Sequence, residues 1–441
     1  MTLADVRVPR ARLIVLAGAI AVCVALLWLS RSYTFYFDEW SFITTAPDST
    51  IAWFFRPHNE HPAILFRIIY AALLDTAGLR TYVPYMVVLL LFHLANAVLL
   101  LELVRRRAGD LIGLAAAALL LVIGAAWEDV LWAFQMAWLA SMALGLAMLI
   151  ALGGPPAHRR AATAAALLLG SLAFSGIGVV FAIAATTLLL MTPGRRRQLL
   201  WLVPVALALL TWYALAGYTG NHPNPPPTLA NVFLLPAYVP WGLGQSAGGV
   251  IGVSGWPAMA VGAAAVVAIA WSWWRRRPDA LAISVAVALV GFYAVTGMTR
   301  AQIGVEQSGS SRYVYIGATL WIILLAGVAR AVPWRGTWRP AIVACIFLAC
   351  FNSGVLLFSF AMAKTVLMQR QVADFHALAA MRSDSCLDPS GAVDPLVMPV
   401  ETEPALYYRA VDRYGDPAMG MPLVDRASYE DGLRRLRKAN C

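Results

Sequence analysis

LIVLAGAIAVCVALLWL (residues 13–29) is an unbroken apolar run, and FYFDEWSF (residues 35–42) follows it almost at once. The run has about the length of one bilayer crossing and no charge inside it. No small-residue cleavage site follows, so it reads as a retained anchor and not as a secretory signal. The rest of the chain has the same character. It is 61% hydrophobic and 13% charged over 441 residues, against about 25% charged for a soluble domain. Long apolar stretches recur throughout, which makes the fold class an all-α, polytopic membrane protein.

About eleven spans are legible, near 13–30, 82–104, 110–126, 130–152, 161–174, 176–191, 198–217, 251–274, 279–297, 314–330 and 340–363. The net charge of +10 comes from arginines clustered between these spans, at Arg7/Arg10/Arg12, Arg105–Arg107, His158–Arg160, Arg195–Arg197, Arg275–Arg277 and Arg330/Arg335/Arg339. With this span set every cluster falls on one side, which the positive-inside rule makes cytoplasmic. The basic balance is therefore topology, and no nucleic-acid partner is expected. An odd number of crossings puts the N-terminus in the cytoplasm and the polar segment 364–441 outside. The domains expected are 1–363 in the membrane, with a first outer loop at 31–81, and 364–441 as a small extracytoplasmic segment.

The fifth and sixth spans are short and are separated by Phe174-Ser175-Gly176-Ile177-Gly178. Two readings stay open: a pair of short helices with a glycine turn, or a broken pair whose irregular backbone lines a cavity. In the first loop, WFF (53–55) and ILFRIIYAALL (64–74) are bounded by Pro57, Pro62 and Gly78 and read as helices in the membrane interface. The Pro-rich stretch 221–227 reads as an extended connector without chemistry. There is no solenoid repeat and no Rossmann, Walker or zinc-finger pattern.

Polar residues that carry chemistry gather in the outer segments. Asp38 and Glu39 stand among Tyr33, Phe35, Tyr36, Phe37, Trp40 and Phe42. Rings that exclude water raise a carboxylate pKa, which is how a general base is made, although an interfacial aromatic belt accounts for the same rings. Arg56-Pro57-His58-Asn59-Glu60-His61-Pro62 is a loop pinned by two prolines. Its Arg and His suit a phosphate; His58, Glu60 and His61 could instead bind a metal, although their spacing matches no zinc signature, and a solvated loop is the third reading.

Trp127-Glu128-Asp129 through Gln135 sits where two spans meet outside. On a continuous helix Glu128, Leu131, Trp132 and Gln135 would share a face, with Asp129 about 100° away. Acidic residues at that depth face a cavity or a partner, or cap a helix N-terminus. Arg300 and the Arg312-Tyr313 pair lie at the outer ends of the ninth and tenth spans. Arg312 is on the side the positive-inside rule disfavours, so it calls for an anion, either Asp38/Glu39 or a phosphate, unless it snorkels to headgroups.

Taken together, these residues resemble the GT-C superfamily of membrane glycosyltransferases. That superfamily includes protein O-mannosyltransferases, lipid A aminoarabinose transferases and bacterial sugar transferases that use polyprenyl-phosphate donors. The likeness covers about residues 15–360 and rests on a first span followed by a long outer loop with an acidic pair, Asp38-Glu39, at its start. It implies Asp38 as the catalytic carboxylate, completed by Glu39, and a second acidic station at Glu128-Asp129. It also implies basic contacts to the donor phosphate from Arg312, with His58, His61 and Arg300 in support. The implied reaction is inverting transfer of a sugar from a polyprenyl-phosphate donor to a glycan, lipid or protein acceptor outside the plasma membrane. Tyr313, Glu60 and Gln135 complete the expected substrate contacts.

No cofactor is required by this reading, and a divalent cation held by Asp38, Glu128 and Asp129 is the alternative. The chain departs from the superfamily in having no WWDYG-like motif, and its tail is too short for a large carbohydrate-binding domain. In the oxidising compartment so implied, Cys386 and Cys441 are the disulfide candidate, worth roughly 4 kcal/mol for a closure of about 55 residues. The competing functions are a transporter or flippase of lipid-linked sugars, and a polymerase or acyltransferase of envelope glycans.

Overall fold

The computed structural model describes residues 1–220, 225–399 and 402–441, and among these it is helical with no β-strand. The connector expected at 221–227 lies partly outside the described residues. The first span is α1 (Ala11–Leu29), and the loop behind it carries α2 (Glu39–Ile43), α3 (Ile51–Phe55) and α4 (Ile64–Ala77). The bundle continues through α5 (Val83–Ala108), α6 (Asp110–Leu121), α7 (Trp127–Leu131), α8 (Met136–Leu152), α9 (His158–Phe174), α10 (Gly178–Met191) and α11 (Val203–Leu215). It is completed by α12 (Ala230–Gly249), α13 (Gly255–Arg275), α14 (Ala280–Arg300), α15 (Ser311–Ala329) and α16 (Trp338–Met381). Two short helices follow, α17 (Pro404–Tyr414) and α18 (Arg426–Leu436).

Among the described residues eight helices are long and apolar enough to cross a membrane, or nine if the pair α6–α7, bent by 44°, counts as one span. The chain is thus a multi-pass membrane protein. The other two of the eleven expected spans are α9 and α10, present as helices of 17 and 14 residues.

The arginine clusters share one end of the bundle. Arg12 and Arg105 both meet Glu102, at 3.0 and 2.8 Å, and Arg107 pairs with Asp279 at the start of α14. The amide of Leu3 donates to the Val332 carbonyl at 3.0 Å, which ties the N-terminus to the α15–α16 turn. Arg195 reaches the carbonyls of Leu152 and Gly154, so the α8–α9 and α10–α11 turns also meet. The acidic loop lies at the opposite end.

Three expectations need correction. Segment 218–250, left outside the membrane between the expected spans 198–217 and 251–274, contains the 20-residue α12 with Pro236 and Pro240 inside it. Both its ends lie toward the acidic-loop end. Asn231 donates to the Met298 carbonyl at 3.0 Å, and a Cβ on Gly249 would meet Val314. Its glycines let it wedge between neighbours, for a Cβ on Gly262 of α13 would lie 2.8 Å from the Gly244 Cα. The prolines interrupt the apolar pattern, which hid the helix.

Second, residues 364–381, assigned to the polar tail, continue α16, a helix of 44 residues. That is about 66 Å, roughly twice a bilayer core, so its far end projects beyond the membrane. No Gly or Pro stops it there, and Met368, Val372, Phe375 and Leu378 keep one buried face. Third, residues 127–135 are not one helix face. The chain breaks at Trp132 (φ −133°, ψ 112°) between α7 and a short 3-10 turn.

The C-terminal segment packs on the first loop and on α16. Cys386 and Cys441 form a disulfide, with Cα atoms 5.8 Å apart.

Candidate active site

A cavity of about 360 Å³ opens at the acidic-loop end, a size suited to a small ligand. Its polar wall holds Asp38, His58, Glu60, His61, Gln135, Arg300, Arg312 and Tyr313. Its apolar wall includes Leu209, Leu210 and Tyr213 of α11, and Leu210 and Tyr213 are also exposed on the outer surface of the bundle. The cavity therefore joins a charged pocket to a surface that lipid would cover.

Asp38 and Glu39 separate at once. Asp38 sits at the start of α2 with its side chain on the cavity, its Oδ2 3.9 Å from His58 Nε2. Burial pushes its pKa up, the Arg312 charge pulls it down and Glu128 raises it again, with a net rise. Glu39 points the other way and is wholly buried. It accepts from the Tyr36 amide at 2.9 Å, from the Tyr70 and Tyr82 hydroxyls at 3.1 Å and from Trp132 Nε1 at 3.2 Å. Burial raises its pKa too, against the Tyr36 hydrogen bond and the Lys364 charge. This carboxylate ties α2, α4, the start of α5 and the α7–α8 break together, and it does not reach the cavity.

The residue before Asp38 is held in an unusual conformation. Phe37 has φ +48°, in the left-handed region that costs an L-residue about 1–2 kcal/mol. Its amide donates to the Val397 carbonyl of the C-terminal segment at 2.8 Å.

The histidine loop is a tight turn. His58 and His61 exchange backbone hydrogen bonds at 3.0 Å, and Asn59 takes φ +50°, which asparagine tolerates well. Burial, then the charges of His61, Arg67, Arg312 and Arg300, push the His58 pKa down to about 3, so His58 is neutral beside Asp38. Glu60 pairs with Arg300 at 2.7 Å. Gly176 makes room for His61, since a Cβ there would lie 2.4 Å from His61 Nδ1. Gly176 and Ile177 both line the cavity, so the α9–α10 break is a glycine turn and also a cavity wall.

Arg312 finds its anion in Glu128, with Nε 3.4 Å from Oε2, and not in Asp38 or Glu39 as direct partners. Its guanidinium also lies 5.9 Å from the Trp132 ring centre. Glu128 stands behind Arg312 and off the cavity wall. Asp129 is fully buried, and neither of its oxygens has a hydrogen-bond partner among the described residues. Asp38, Glu128 and Asp129 thus do not converge as a ligand set, and among the described residues no group of three or more His, Cys, Asp or Glu is arranged to hold a metal ion.

Several residues that shape the site escaped the sequence reading. Lys364, one of two lysines in the chain, is buried with its ammonium 4.4 Å from the Tyr36 ring centre and 5.4 Å from that of Trp132. Its position at the end of an apolar run was the available signal. Arg67, the lone charge in ILFRIIYAALL, is buried over Phe42 and Trp53 and donates to the Arg56 and Pro57 carbonyls at 3.2 and 3.3 Å. It clamps the histidine loop. Tyr82 closes the break at Trp132, for its hydroxyl accepts from the freed Ala133 amide at 2.9 Å.

No family model and no curated protein matches the chain. Among solved structures it is similar to ArnT from Cupriavidus metallidurans, in a crystal structure bound to undecaprenyl phosphate. The identity is 16% and the TM-score 0.48, over 95% of this chain and 76% of that one.

Proposed function

We propose that the protein transfers a sugar from a polyprenyl-phosphate donor to an acceptor hydroxyl at the extracytoplasmic face of the plasma membrane. The observation that carries the reading is that Asp38 and Arg312 wall one cavity whose far side is lipid-facing α11. A substrate suited to such a cavity has an anionic head and an apolar tail. The arginine-lined end of the bundle is then the cytoplasmic one.

In this mechanism Asp38 takes the proton of the acceptor hydroxyl as its oxygen bonds to the anomeric carbon. The carbon–oxygen bond to phosphate breaks on the opposite side, giving inversion. Arg312, with Arg300, His58 and His61 nearby, stabilises the charge left on the lipid phosphate. A positioned base contributes typically 10²–10⁴-fold. Neutral His58, 3.9 Å from Asp38, adds no positive charge that would lower the basicity of the carboxylate. Glu39 holds the frame around Asp38 and does not meet substrate.

Transport of a lipid-linked sugar is the second reading, since it would use the same charges. It is less favoured because the polar residues gather at one end of the bundle and not at mid-bilayer, where transporter sites lie. The test is sugar transfer in liposomes from a polyprenyl-phosphate monosaccharide, comparing wild type with Asp38→Asn. Wild type should transfer and the variant should not. Full activity in Asp38→Asn refutes the base assignment, and donor movement without transfer makes the protein a transporter.

A further inference from the structure

We propose that the C-terminal segment is a positioning clamp for Asp38, with Asp394 as its key residue; the proposal rests on Asp38 being the base. Strain held by surrounding structure points to function when it adjoins reacting groups. Here the strained residue is Phe37, and what holds it comes from a segment more than three hundred residues later in the chain. The Phe37 amide donates to the Val397 carbonyl at 2.8 Å. Local hydrogen bonds bracket it, from the Tyr36 amide to Glu39 Oε2 at 2.9 Å and from the Glu39 amide to the Tyr36 carbonyl at 3.2 Å, but the Phe37 amide itself is held from the C-terminal segment, at a φ of +48° that phenylalanine rarely adopts.

The Val397 carbonyl is itself fixed by Asp394. The Asp394 backbone carbonyl accepts from the Val397 and Met398 amides, both at 3.1 Å. Its side-chain Oδ1 accepts from the Leu396 amide at 3.0 Å, and its Oδ2 from Arg370 of α16. Asp394 is only 6% exposed, so water does not compete well for these bonds. A continuous path runs from α16 through Arg370, Asp394 and Val397 to Phe37 and Asp38.

Contacts on either side keep the segment seated. Trp40, two residues past Asp38, packs with Phe375 and Tyr407, each at 5.3 Å between ring centres. Arg409 pairs with Asp48 at 2.7 Å, and the Leu79 amide donates to the Tyr414 carbonyl at 2.9 Å. The C-terminal segment thus aims the base, and Asp394 acts through Phe37 without touching substrate.

The experiment uses the full chain in lipid nanodiscs, with Asp394→Ala, Asp394→Asn, and Asp394→Ala combined with Phe37→Gly. Hydrogen exchange at the Phe37 amide is read beside kcat and KM for a polyprenyl-phosphate monosaccharide. In Asp394→Ala, exchange should quicken at least about tenfold and kcat should fall roughly 10- to 100-fold, the cost of misplacing a reacting group by an ångström or less. KM for the donor should stay within about threefold, because the groups that bind it are untouched. Asp394→Asn keeps the Oδ1 acceptor and should retain most of kcat. Glycine adopts positive φ without strain, so Phe37→Gly should recover much of the loss. Should Asp394→Ala fail to accumulate, Arg370→Gln replaces it under the same criteria.

Unchanged exchange, or quickened exchange with wild-type kcat, overturns the clamp. An Asp38→Asn control that keeps wild-type kcat strikes the base assignment instead, and the exchange readout still decides whether the segment holds Phe37.

Discussion

Asp38 and Glu39 are consecutive in the chain and face opposite sides of the site wall. Asp38 is on the cavity 3.9 Å from His58, while Glu39 is enclosed by Tyr36, Tyr70, Tyr82 and Trp132. The two carboxylates should therefore fail differently when altered. Asp38→Asn should lower transfer about 10²–10⁴-fold and leave thermal stability close to wild type. Paired assays of turnover and thermal unfolding on the purified protein check this.

Glu39→Gln should do the reverse. The amide replaces one acceptor oxygen with a donor that faces other donors, which costs about 1–3 kcal/mol for each group left unsatisfied. Thermal unfolding should show the loss. A variant as stable as wild type but inactive would move Glu39 from frame to chemistry.

The pH profile has a sign that can be worked out. Asp38 must be ionised to act, and its pKa is raised by burial, lowered by Arg312 and raised by Glu128. Activity should therefore fall on acidification at a pH above the ordinary Asp value of about 3.9. Removing the cation in Arg312→Gln should move the acid limb of kcat/KM to higher pH. Removing the anion in Glu128→Gln should move it lower. Shifts in the same direction for both would exclude Asp38 as the titrating group.

Gly176→Ala should crowd His61 without straining the backbone, because Gly176 does not have positive φ. Activity should drop several-fold while the unfolding temperature holds, since only the cavity wall is disturbed. Kinetics for a polyprenyl-phosphate monosaccharide, beside a melting curve, check it.

Reduction of the Cys386–Cys441 disulfide frees a closure that spans 55 residues. The C-terminal segment should lose at most about 4 kcal/mol in the chain-entropy model. Proteolysis of that segment with and without reductant is the measurement, and equal rates would mean that packing on α16 alone holds it.

The bundle was legible because hydropathy and arginine placement are one-dimensional signals. Apolar runs long enough to cross a bilayer, and basic clusters between them, need no knowledge of neighbours. Asp38 was singled out by the family that its place after the first span resembles, and its side chain lies on the cavity. The expected site residues divide: Asp38, His58, Glu60, His61, Gln135, Arg300, Arg312 and Tyr313 share the cavity, whereas Glu39, Glu128 and Asp129 stand behind its wall. Pattern cannot make that division, because adjacent residues at a helix start point in directions set by what packs on them.

What the sequence by itself determined is a multi-pass helical protein with an acidic pair in its first loop and its arginines gathered between spans. Only tertiary structure decided that Arg312 pairs with Glu128, that Lys364 lies among aromatic rings, and that residues 394–397 reach back to Phe37. The physical reason is range. Hydrophobic transfer into a bilayer is summed along a segment and can be read from it, whereas hydrogen bonds and ion pairs act over a few ångströms between groups that only the folded chain brings together.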